Sequence, residues 1–181
     1  MRHVRIALVL VGLVVISATV GVSIALQQAE VPPEATVKDI MTSRIGLNAD
    51  YMWEAVATVV GPTGVTERTP QTDQEWGELR KRAVTLIDAT NALAAPGIRV
   101  ANPGEKPGNP TLQLPPEEIQ ELINGDRANW VARTRGLYDA AQKLLMAVDA
   151  KDSNVFRRAG ADLYRACESC HIDYWYKKTG R

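Results

Sequence analysis

Two cysteines and one histidine hold most of the chemistry this chain can offer. They stand together as Cys167-Glu168-Ser169-Cys170-His171. No other cysteine occurs, and the second histidine is His3. On a helix, residues three apart share one face, and the next residue continues it. That arrangement reads as a c-type haem attachment site. Each thiol adds S–H across a haem vinyl group, leaving a thioether, and the adjacent imidazole reaches the iron. Three other chemistries use similar residues. A disulfide across so tight a loop in a helix strains its geometry. A zinc site needs a fourth ligand, and none follows at ligand spacing. A thioredoxin-like dithiol belongs in a βαβ context, which the sequence lacks.

The other elements must present this motif. Met1 to Arg5 holds two arginines, and Ile6 to Leu26 has no charge. This is the pattern of an export segment with its positive end in the cytoplasm. Small residues at Ser23-Ile24-Ala25 suit cleavage after Ala25, whereas the apolar run is long enough to stay as a membrane helix. Both outcomes are open, and either places the remainder outside the cytoplasm. The expected division is 1–26 signal peptide or anchor, 27–35 linker, and 36–181 one helical domain. Beyond the export segment acids slightly outnumber bases. No nucleic-acid surface is expected.

Apolar periodicity predicts four helices and no strands. Val37, Ile40, Met41, Tyr51, Met52, Val56 and Val59 mark the first, about 34–60, with a kink near Gly46 and Asn48. A polar loop fills 61–72. Trp76, Leu79, Ala83, Leu86, Thr90 and Leu93 form the seam of the second, 71–95, capped by Thr72 or Asp73. Pro115-Pro116-Glu117-Glu118 opens the third, 116–150. The fourth, 153–178, is capped by Asp152 or Ser153. It carries Phe156, Gly160, Leu163, Cys167, Cys170, His171 and Tyr174 on one face, with Lys177 and Lys178 in its last turn. The fold class is all-α, an antiparallel up-down four-helix bundle behind an N-terminal hydrophobic segment. Six of the ten prolines fall within 96–116. This long loop either covers a site or is a solvated excursion.

A four-helix chain with its haem motif on the last helix resembles the class II c-type cytochromes, the cytochrome c-prime group. The motif, Tyr174, Lys177-Lys178 and Val37-Lys38-Asp39-Ile40-Met41 carry that resemblance. It implies a periplasmic monohaem protein, often a dimer paired through its first helix. One kind leaves the sixth iron position free and binds small gases such as nitric oxide. The other fills that position with a first-helix methionine and carries electrons to redox partner proteins.

Topology bears on which methionine is available. In an up-down bundle, Met41 near the start of the first helix lies level with His171 near the end of the fourth. Met52 is about 16 Å further along the axis, and Met146 belongs at the opposite end. Met41 is therefore the expected sixth ligand, with a plain core residue packed on the porphyrin as the other reading. Ile87, Thr90, Ile123 and Trp130 share this level as candidate haem walls, and Arg127 is a candidate partner for a haem propionate. Ordinary core, or a solvated face for Arg127, is the competing account. No catalytic constellation is visible, so the expectation is a carrier or binder with one covalent haem c, and not an enzyme.

Overall fold

The computed structural model describes residues 31, 32 and 34–178. The export segment lies outside the described residues. Among those described, no helix is long and apolar enough to cross a membrane.

Thr36 starts the first rod with a reciprocal cap. Its hydroxyl accepts from the Asp39 N–H, and the Asp39 carboxylate accepts from the Thr36 N–H at 3.0 Å. Helix α1 is Val37–Ile40, a π-helical turn spans Met41–Ile45, and α2 is Gly46–Glu54. Its buried residues step from Ile40 to Ile45, five positions, where an α-helix steps by three or four. The π turn absorbs the extra residue. The kink expected near Gly46 takes this form.

The rod ends at Glu54, short of the predicted residue 60. A hairpin follows, β1 Thr58–Gly61 antiparallel to β2 Gly64–Glu67, pairing Val59 with Thr66 and Val60 with Val65. The expectation of no strands is corrected here. Thr58, Val59, Val60, Val65 and Thr66 are β-formers on either side of a Gly-Pro-Thr-Gly turn. Gly64 takes a φ of 122°, which favours glycine. The hairpin is exposed throughout and stands off the bundle, tied to it by Arg157–Glu67 at 2.8 Å.

Helix α3, Asp73–Leu93, is capped by Thr72 with Glu75 in the same reciprocal manner as the first rod. The predicted third helix is two: α4 Pro116–Gly125 and α5 Arg127–Asp149. Asp126 between them leaves helical geometry, and its carboxylate accepts from the Asn129 N–H at 2.9 Å. Asn124, Gly125 and Asp126 are weak helix formers, and aspartate gains more as a cap. Helix α6, Ser153–Tyr174, is capped by Asp152. It ends before Lys177 and Lys178, so neither lies in its last turn.

Polar contacts show how the four layers meet. Arg80 meets Asp149 at 2.8 Å, while Trp130 reaches the Leu93 carbonyl at the other end of the pair, so α3 and α5 are antiparallel. Arg133 meets Asp173 at 2.7 Å and Lys143 meets Asp162 at 3.7 Å, so α5 and α6 are antiparallel. The Trp53 indole donates to the Gly160 carbonyl at 3.0 Å, which seats α2 against α6. The core runs through Leu79, Leu86, Leu93, Leu144, Phe156 and Leu163, each 1% exposed or less. The result is an antiparallel four-helix bundle, its third layer broken at Asp126.

Candidate functional site

The motif occupies the last turns of α6, where the buried stripe of that helix continues through Cys170 to Tyr174. Leu163 and Phe156 are sealed, Cys170 is buried, and Cys167 and His171 are half-buried. Both cysteines are free thiols. Among the described residues no group of three or more His, Cys, Asp or Glu side chains is placed to hold a metal ion.

Cys170 and His171 line a cavity of about 240 Å³ at this end of the bundle. Four segments build its walls. The first rod supplies Val37, Lys38, Met41 and Thr42. The 96–115 loop supplies Val100, Ala101, Lys106, Pro107, Gly108, Gln113 and Leu114. Pro116, Ile119 and Trp130 come from α4 and α5, and Tyr174 and Trp175 come from the end of α6. Of the residues nominated from sequence, Cys170, His171, Met41 and Trp130 therefore share one cavity. Cys167 sits one helical turn before Cys170, packed against the edge of the core.

The remaining nominations lie elsewhere. Ile87 and Ile123 are core residues, and Thr90 turns its hydroxyl to the Ile87 carbonyl at 2.8 Å; none lines the cavity. Arg127 donates to the carbonyls of Ala94 and Ala95 at 2.6 and 2.7 Å. It closes the C-terminus of α3, where carbonyls lack helical partners and a cation is favoured. The cations that do reach the cavity are Lys38 and Lys106, and its lining holds no carboxylate. Lys38 pairs with Glu105 at 2.6 Å, linking the first rod to the loop. Of the other methionines, Met52 is sealed in the core and Met146 is 62% exposed.

The loop covers the site rather than wandering into solvent. Its carbonyls at Arg99 and Val100 accept from the Val37 and Lys38 N–H groups at 2.9 and 3.0 Å. Its Val100 N–H donates to the Gln120 side chain at 2.8 Å. Further on, Leu114 N–H donates to the Trp175 carbonyl and Lys177 N–H to the Leu112 carbonyl, both at 2.8 Å. The loop and tail residues had no place in the periodic pattern, since none falls on a helix stripe. Trp175 had one legible feature: it lies four residues after His171, the spacing of helical neighbours. Its ring meets the imidazole edge-on, 4.4 Å between centroids.

Burial sets the protonation of the site. It pushes the Cys167 thiol up to about 11 and the Cys170 thiol up to about 12. Both stay S–H at neutral pH, so neither is an activated nucleophile. Burial also lowers the His171 pKa, with Glu168 opposing. A neutral imidazole keeps a lone pair for a metal. Burial raises Tyr174, whose oxygen accepts from the Asn129 amide at 3.0 Å. These groups suit a covalently held haem: two unpaired thiols on one face, an adjacent neutral imidazole, an apolar wall, and cations but no acids on the lining.

No family model matches the sequence, and no curated protein matches it. Among solved structures the chain is similar to a nitric oxide complex of a mutant cytochrome c prime from Alcaligenes xylosoxidans. The identity is 22%, with 80% of this chain and 98% of that one covered, and the TM-score is 0.46.

Proposed function

We propose that the chain is a monohaem c-type cytochrome acting outside the cytoplasm. The observation that carries this reading is the placement of Cys170 and His171 on one apolar cavity wall with both motif thiols free. Cys167 and Cys170 hold the haem covalently, and His171 is its axial ligand. The haem supplies a one-electron iron couple and a second axial position. Lys38 and Lys106 offer charge to its carboxylates, the role first considered for Arg127. Trp175 braces the imidazole, and Val37, Val100, Leu114 and Ile119 keep water from it.

Two readings of the second axial position follow from the same wall. Met41 is the one thioether on the lining. Its coordination makes the iron low-spin and suits an electron carrier serving redox partner proteins. The other reading leaves the iron five-coordinate and binds nitric oxide or another small uncharged gas. The apolar character of the rest of the wall favours it, because such a wall tolerates an uncharged diatomic wherever Met41 leaves the iron free. In both readings the chain is a carrier or binder, not an enzyme. An inner-membrane tether through residues 6–26 and pairing of two chains through the first helix belong to the same proposal.

Mass spectrometry of protein matured with haem-attachment machinery should show one haem added. Two free thiols in that product would end the reading. An absorption spectrum, oxidised and reduced, then separates the branches. A low-spin spectrum that becomes high-spin in Met41→Ala supports the electron carrier, whereas a wild-type high-spin spectrum supports the gas binder.

A further inference from the structure

The first rod carries an irregularity that bears on Met41. In an unbroken α-helix each residue advances about 100°. On such a wheel Met41 falls in line with Ile45, Asn48 and Met52, and Ile40 falls well to one side. The structure shows another order. Ile40, Ile45 and Met52 are buried at 1%, 4% and 1% exposure, while Met41 lies half-buried on the cavity wall. The π turn produces this by adding one residue between the two halves of the rod. It swings α1 by about one residue's rotation relative to α2. Ile40 thereby takes the core line, and Met41 is displaced towards the cavity that also holds His171.

Two residues C-terminal to the turn make it possible. The Gly46 N–H closes the wide turn on the Met41 carbonyl. A Cβ at Gly46 would stand 3.0 Å from that same oxygen, closer than side chains normally tolerate. The buried Asn48 donates its amide to the Arg44 carbonyl at 2.5 Å. Hydroxyls of Thr42 and Ser43 serve the carbonyls of Lys38 and Asp39 at 2.8 and 2.5 Å. Polar side chains thus occupy carbonyls in and just before the widened turn, where regular helical pairing is disturbed.

We propose that Gly46 and Asn48 are positioning residues that rotate Met41 off the core line and onto the cavity wall. This rests on the haem reading, but not on Met41 being a ligand. The test uses the full haem-loaded chain with methionine methyl groups labelled in carbon-13. Spectra are taken in the reduced, diamagnetic form, with carbon monoxide added if the iron is five-coordinate. Wild-type Met41 should show a large porphyrin ring-current displacement, while Met52 and Met146 serve as internal references. Gly46→Ala and Asn48→Ala should each remove most of the Met41 displacement and leave Met52 in place. A merely structural role would move Met52 as well, or neither. Asn48→Ala adds no volume, so it reads the turn even if Gly46→Ala fails to fold. A Met41 methyl that keeps its wild-type displacement in the folded variants overturns the proposal. A wild-type high-spin spectrum with a displaced Met41 methyl would instead refute ligation alone, and absence of haem in the mass spectrum would refute the haem reading.

Discussion

The two ends of the bundle use aromatic residues in opposite ways. At the hairpin end, Trp76 and Phe156 meet edge-to-face at 6.1 Å, and Phe156 is fully buried. At the motif end, Trp130 and Tyr174 meet in the same manner at 5.1 Å, but both border a cavity. The first pair joins α3 to α6 inside the sealed core. The second is roofed by the 96–115 loop, which is held through main-chain hydrogen bonds to the first rod and the tail. Side chains that interdigitate fill space, whereas a roof fastened by its backbone can span space. One end is built for packing and the other for keeping a wall clear.

That contrast can be broken most completely at the motif. Replacing Cys167 and Cys170 together by Ser should abolish covalent haem, read as the unmodified mass under denaturing conditions, while the helical far-ultraviolet spectrum persists. The next effect belongs to the opposite end. Phe156→Ala should cost about 3–5 kcal/mol in denaturant unfolding of the haem-loaded protein, as large core deletions do. Its iron spectrum should stay that of wild type; a changed spectrum would mean that the two ends are not separable.

The smallest difference concerns acid. Asp39 begins the rod at the cavity end, and Glu75 begins α3 at the hairpin end. The Thr36 hydroxyl and N–H hold the Asp39 carboxylate below its ordinary range. The Gln71 and Thr72 N–H groups do the same for Glu75. A depressed folded pKa gives stability that is present above the unfolded value and lost as pH falls through the folded one. Both caps should therefore loosen below about pH 4 and be unaffected near neutrality. Amide chemical shifts of Thr36 and Thr72 during an acid titration would report each separately. Loosening on the alkaline side would contradict the assignment.

Much of this organisation was legible because it repeats. The α3 seam from Trp76 to Leu93 and the α6 face from Phe156 to Tyr174 follow helical spacing, and their burial follows from it. The break at Asp126 was hidden for the same reason: Ile123 to Trp130 is seven residues, the step that two turns of an unbroken helix would make. The hairpin was hidden because Val56 and Val59 extend the three-residue rhythm past the point where β-branched residues begin to pair across a turn. Residue chemistry did point to the cavity end of α6, where Cys170 and His171 line the wall and Cys167 stands one turn back. The role of Arg127 was not legible, since a guanidinium suits a propionate and a helix terminus equally well in sequence. Nor could periodicity find Val100 or Leu114, which reach the cavity from a segment without a helical or strand repeat.

The fastening of the loop also bears on how the molecule breathes. The amides of Val37, Lys38, Leu114 and Lys177 belong to three separate stretches of chain, yet each is half of a bond to or from the 96–115 loop. Lifting the loop breaks all of these bonds in one motion and leaves the opening turn of α1 with unpaired donors. These amides should exchange with solvent deuterium at a common free energy, below that of the α3 and α6 interiors. The first turn of the rod that carries Met41 is then governed by residues some sixty positions away, and it opens and closes on the loop's clock.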